Sequence, residues 1–171
     1  MTSSHLSDQE IEENVDGFMN AEDGEVYYQR VFKDVSLSEI DDNILQSGAE
    51  LVEKNGFKNR YKVEDHSIDY KKYGGSTMSV PIYLRNKFSF VVTGEEKDNR
   101  SRVTITNIQV HDETTIDMGT VESGPSVFNL EKLVLNGNGE FKNSQIEALY
   151  YISKDFSYLV RRNSGKFEDD W

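Results

Sequence analysis

A small α+β domain of about five mostly antiparallel strands and two long helices is what this sequence predicts. Three observations lead there: apolar and polar residues alternate across Phe88–Val110, an apolar stripe at helical spacing follows Ser36, and a second such stripe runs from Ile146 to Val160. A chain of 171 residues suits one hydrophobic core. Its nine Phe and nine Tyr supply enough apolar surface to offset chain entropy.

The first 25 residues hold eight acidic side chains and no Lys or Arg, so they carry −8 of the net −12. Ser7 and Glu10 have capping-box spacing, Leu6 and Ile11 can form a hydrophobic staple, and Ile11, Val15, Phe18 and Met19 recur at helical spacing. Residues 1–25 therefore read as an acidic arm with a short amphipathic helix, which Gly17 weakens by about 1 kcal/mol relative to Ala. From there to residue 162 runs the single α+β domain, and residues 163–171 form an acidic tail that reads as mobile.

Val26–Val35, "VYYQRVFKDV", is rich in β-branched and aromatic residues and reads as the first strand. Ser36 or Ser38 then caps a helix whose stripe is Leu37, Ile40, Ile44, Leu45, Leu51 and Val52, ending at Asn55–Gly56. A second strand is expected within Arg60–Tyr70. In "STMSVPIYL", Pro81 cannot donate to a ladder, which argues for an edge position or a bulge.

The stretch "FSFVVTGEEKDNRSRVTITNIQV" has Phe88, Phe90, Val92, Val103 and Ile105 on one face and Ser89, Thr93, Arg102, Thr104 and Thr106 on the other. It is a hairpin in a sheet covered on one side and wet on the other, and Asn107 breaks the alternation as a bulge does. Residues 111–125 read as a long excursion, Val127–Leu135 as a turn or short helix, and the last helix starts near Asn143 or Ser144.

Net charge −12 disfavours nucleic-acid phosphates and anionic membrane surfaces as partners. The absence of cysteine removes disulfides, thiolate metal sites and cysteine nucleophiles. No run is apolar enough to span a membrane, and the start "MTSSHLSDQEIEENV" has no signal-peptide pattern. The chain as written is thus expected in the cytoplasm, with the cell envelope or secretion as the alternative if an export signal was removed.

His111, Asp112, Glu113 and Asp117 share a loop and form a weak divalent-metal set, because no second His falls at hairpin or helical spacing nearby. Asp65, His66 and Asp69 suggest an acid–base pair, but strand alternation points neighbours to opposite faces, so they read as surface polar residues. "NGNGE" at 136–140 lacks the ligand spacing of a calcium loop, and no phosphate-loop or common hydrolase signature occurs. No catalytic residue and no cofactor is therefore assigned. Six tyrosines (27, 28, 61, 70, 73 and 83) crowd the strand half, where they either suit strands or mark a binding face on the polar side of the sheet.

Taken in order, "VYYQRVF", a capped helix, "GGSTMSVPIYLRNKFSFVVTGEEKDNRSRVTITNIQVHDE", "LNGNGEFKNSQIEALYYISKDFSYLV" and a closing "DDW" resemble the bacterial domain-of-unknown-function family 4468. The resemblance spans roughly 26–160 and implies a curved, TATA-binding-protein-like antiparallel sheet with helices on one face. It implies no established activity, and many relatives look exported or lipid-anchored. Fold likeness to a DNA-binding protein does not transfer its function to a chain with no basic stripe.

Sequence reasoning thus points to a non-catalytic binding or accessory module that contacts another protein, or a small ligand, through the open sheet face or the arm. The alternatives are a metal-dependent enzyme or hydrolase using the His111–Asp117 loop, and a homodimeric structural subunit joined through the edge near Pro81 or through the arm.

Overall fold

The computed structural model describes residues 14–33, 35–76, 78–112, 116–117, 122–123, 126–162 and 167–168. Its strands are β1 (Asn14–Val15), β2 (Phe18–Asn20), β3 (Val26–Lys33), β4 (Glu50–Asn55), β5 (Lys58–His66), β6 (Lys87–Lys97), β7 (Arg100–Asp112), β8 (Ile116–Asp117), β9 (Glu122–Ser123), β10 (Ser126–Asn129) and β11 (Phe167–Glu168). Its helices are α1 (Leu37–Gln46), α2 (Leu130–Val134) and α3 (Ile146–Val160).

The main sheet runs β1-β2-β3-β7-β6-β5-β4, with β10 added to β7 and β11 to β3, every pairing antiparallel. It is larger than the expected five strands, because short segments near both ends of the chain, together with β4 and β10, extend it. A separate two-stranded ribbon, β8-β9, occupies the expected excursion after residue 111.

The long hairpin behaves as its alternation requires. Phe88, Phe90, Val92, Val103 and Ile105 are buried under α1 and α3. The chain reverses at Asp98–Asn99, both at positive φ, as the tight turns that match strand twist demand. Strand pairing continues through Gly94–Lys97, so less of the polar linker is turn than its composition suggests. Asn107 is a bulge residue at φ 51: Ser89 pairs with Gln109 and Val91 with Thr106, leaving two residues opposite Phe90. A second bulge lies on the other flank of β6, where Val63 pairs with Phe90 and His66 with Phe88, with Asp65 at φ 54. Two bulges at one level bend the sheet there.

Helix α1 starts where expected, with Ser36 Oγ accepting the Glu39 N–H at 3.1 Å. It stops earlier than expected. Gly48, at φ +96, ends it just past Gln46, and Leu51 and Val52 lie instead on β4, the outer strand, whose six residues are all exposed. Asn55–Gly56 is then the β4-β5 turn rather than a helix stop. Gly94 lets α1 approach β6, since a Cβ there would lie 3.0 Å from the Leu37 side chain.

The amphipathic arm is a further correction. Val15 and Phe18 are buried, but on a hairpin whose reversal, Asp16–Gly17, has φ 50 and 96, so residues 14–20 belong to the sheet and 21–25 turn the chain into β3. Residues 1–13, including Ile11, lie outside the described residues. Pro81 likewise leads into a 3₁₀ turn, Ile82–Arg85, not an edge strand. In the tail, Phe167–Glu168 pair with Val31 and Phe32.

The core lies between sheet and helices. Phe156 of α3 contacts Phe18, Tyr28 and Phe90 at centroid distances of 5.9, 5.5 and 4.8 Å. No helix among the described residues is long and apolar enough to cross a membrane.

Candidate binding face and the His66 pair

Strand alternation places the remaining side chains of the sheet on the face away from α1 and α3. Gln29, Ser89, Val91, Thr93, Arg102, Thr104 and Thr106 are half-exposed there. Neighbouring strands satisfy one another across this face: Gln29 Nε2 donates to Thr104 Oγ1 at 2.9 Å, Arg102 meets Glu95 at 3.2 Å, and Arg60 meets Glu53 at 3.5 Å. Lys62, 3.0 Å from Glu64, has its pKa raised by that carboxylate.

At the level of the two bulges the face sinks into a groove of about 360 Å³, lined among others by Lys62, Glu64, Asp65, Ser89, Gln109 and His111. His111, the one imidazole of the expected metal set, is engaged here: its Nε2 lies 2.7 Å from Ser89 Oγ. Asp112 is half-exposed at the end of β7. Glu113 and the side chain of Asp117 lie outside the described residues, and among the described residues no three His, Cys, Asp or Glu side chains group as a metal site. A neighbouring depression of about 370 Å³ holds Glu25 and Glu131. Both carboxylates serve the backbone, Glu25 accepting the Asn107 N–H at 3.1 Å and Glu131 the Val26 N–H at 3.5 Å.

The tyrosines do not make a binding stripe on this face. Tyr28 and Tyr61 are fully buried on the core side, Tyr28 within 2.6 Å of Ser157 Oγ and Tyr61 donating to Asp41 at 2.6 Å. Burial first, and the Asp41 carboxylate second, push the Tyr61 phenol well above its ordinary range. Tyr70, raised mainly by burial, donates to the Leu84 carbonyl at 2.5 Å.

Asp65, His66 and Asp69 also part company. Asp65 is exposed in the bulge, and Asp69 accepts the Lys72 N–H at 3.3 Å at the start of the 3₁₀ turn Tyr70–Tyr73. The bulge turns His66 toward the helices, where its Nε2 lies 2.6 Å from Asp155 Oδ2 on α3 and its ring packs edge-on to Phe90. Tyr73 faces the same carboxylate; burial and that charge hold its phenol protonated far above the usual range. Asp155 is 89 residues from His66 and buried at 8% exposure, and sequence reasoning missed it as an ordinary helix acid. Its one signal is position, on the helix side that carries Ile152, Phe156 and Leu159.

In fold, the chain is similar to a solved DUF4468 family protein from Bacteroides ovatus, with a TM-score of 0.51 at 14% identity, covering 88% of this chain and 92% of that one. A solved TBP-like protein from Parabacteroides distasonis aligns with a TM-score of 0.47 at 11% identity, over 81% of this chain and 92% of that one. No protein-family model matches the sequence, and neither does any curated protein. The similarity is one of fold, and at that level the α+β architecture and the likeness to family 4468 read from the sequence hold.

Proposed function

We propose that the protein is a non-catalytic binding module that contacts a protein partner through the open face of its sheet. The observation that supports this is the division of the β6-β7 hairpin: one face is spent on the core, while the other presents a curved array of hydroxyl, amide and charged groups with no helix over it among the described residues. Such a face gives specificity through directional polar contacts, and its mutually paired charges keep it soluble when empty. A photo-crosslinking side chain at Thr93 or Thr104, expressed in native cells, is expected to trap a discrete adduct that the same group at Ser38, on the exposed side of α1, does not. Absence of an adduct from both sheet positions, or the same adducts from Ser38, overturns the reading.

A second reading, a homo-oligomeric subunit, is favoured by β4. Leu51, Val52 and nearby Phe57 are 39%, 56% and 68% exposed along an outer strand. Glu50 precedes Lys54 by four residues, so an antiparallel second copy centred on Val52 sets acid against base at both ends of the pairing. Sedimentation of the intact chain beside Val52→Lys tests it: a dimer lost in the variant supports the reading, and a monomer in both contradicts it.

A further inference from the structure

A cavity of about 230 Å³ opens on the helix side of the sheet, remote from the open face, where the ends of α1 and α3 meet the 3₁₀ turn Tyr70–Tyr73. It is smaller than the roughly 300–1,000 Å³ of sites that hold drug-sized ligands, so an occupant has to be small. Tyr73, Tyr158 and Leu159 supply apolar surface to its lining, which also includes His66, Asp69, Lys72, Asp155 and Arg162.

Hydrogen-bond accounting at this place is uneven. The acceptors are supplied: Asn43 Nδ2 donates to the Val160 carbonyl at 2.8 Å, Ser47 Oγ to Ile44 at 2.6 Å, and the Gly48 N–H to Leu45 at 3.1 Å, so both helix ends are capped from within. Asp155 is taken by His66, and Asp69 by the Lys72 amide. The cationic side chains are not matched in the same way. Among the described residues neither Lys72 nor Arg162 meets a carboxylate: Lys72 Nζ rests 3.2 Å from the centroid of the Tyr158 ring, and Arg162 reaches the Asn43 carbonyl at 3.5 Å.

His66 completes the set. A carboxylate only accepts, so in the neutral ring Nε2 carries the proton toward Asp155 and Nδ1 presents a lone pair. Nδ1 has no partner among the described residues, while Asp155 and the edge of Phe90 fix the ring. Two cationic side chains at the mouth, neither held by a carboxylate, favour an anionic ligand, the lone pair favours one donor on it, and the walls favour an apolar body.

From this we infer that the cavity is a binding site for a small carboxylate that also carries a hydroxyl group and an apolar body. Its carboxylate lies toward Arg162 and Lys72, its hydroxyl donates to His66 Nδ1, and its body packs on Tyr73, Tyr158 and Leu159. The site stands whether or not the sheet face binds a partner.

Titration of the full chain with mandelate, followed by the ring resonances of His66, tests this, with phenylacetate as the probe that lacks the hydroxyl. Mandelate is expected to give a saturable shift at His66 at millimolar concentration, and phenylacetate to bind about tenfold more weakly, the worth of one hydrogen bond. Because Lys72 and Arg162 are exposed, the double variant Lys72→Gln, Arg162→Gln is expected to keep its melting temperature and to lose about tenfold or more in mandelate affinity. No saturable shift, equal binding of the two acids, or undiminished affinity in the folded double variant overturns the assignment.

Discussion

On β6 the side chains of Phe88, Phe90 and Val92 are buried, while Ser89, Val91 and Thr93 between them stay half-exposed. One strand thus serves two environments, and the two faces of the sheet differ in what a substitution there does. The covered face is held by volume: aromatic rings in contact, little tolerance for a missing group, and helices seated where Gly94 allows. The open face is held by pairing of polar groups across strands, each pair worth little and replaceable. The covered face therefore carries stability, and the open face is free to carry recognition.

The largest expected break in that comparison is Phe156→Ala. It removes the ring that Phe18, Tyr28 and Phe90 all touch and should cost about 3–5 kcal/mol in denaturant unfolding. Thr93→Ala on the opposite face should stay within about 0.5 kcal/mol. Gly17→Ala comes next. A Cβ at φ +96 would lie 2.8 Å from Arg30 Nε and from the Tyr28 ring, so a cost of about 1–3 kcal/mol is expected by the same measurement.

Asp155→Ala should cost about 1–3 kcal/mol by leaving the half-buried His66 Nε2–H without its acceptor. The accompanying change in the His66 ring resonances separates this from a packing effect.

Alkaline titration sharpens the same contrast. Tyr61, Tyr70 and Tyr73 have folded pKa values raised above the unfolded value of 10.0, chiefly by burial. Each favours the folded state fully below pH 10.0, and that contribution is lost as pH rises through the raised folded values. Tyrosinate absorbance should therefore appear late, in step with unfolding, and an ordinary titration of all nine tyrosines near pH 10.0 would contradict it. Small as well is Arg102→Ala, which removes the Glu95 pair and should cost about 0–1 kcal/mol, less at high salt.

Much of this division is legible in the chain. Alternation over Phe88–Val110 identifies both faces, Asn107 marks the bulge, Ser36 caps α1, and the Ile146–Val160 stripe is α3. The failures have local causes. Val15, Phe18 and Met19 fit helical spacing, but Val15 and Phe18, paired directly across a two-residue turn, also fall on one side with Met19 on the other, and "DG" at Asp16–Gly17 is the turn signal that decides between them. Leu51 and Val52 continue the α1 stripe numerically, although Gly48 has already ended the helix. His66 escapes strand alternation because a bulge resets its face, and its partner arrives from a helix far along the chain. Periodicity carries information about neighbours on one element, whereas the His66–Asp155 pair depends on how elements dock.

The absence of cysteine makes the central claim directly measurable. Single cysteines placed in turn at Val91, Val92, Thr93, Val103, Thr104, Ile105 and Thr106 are to be labelled under native conditions with a small thiol reagent. Fast reaction at 91, 93, 104 and 106 with strong protection at 92, 103 and 105 is the expected result. Equal rates along both strands, or the opposite alternation, would contradict a sheet with one face given to the core and the other to water.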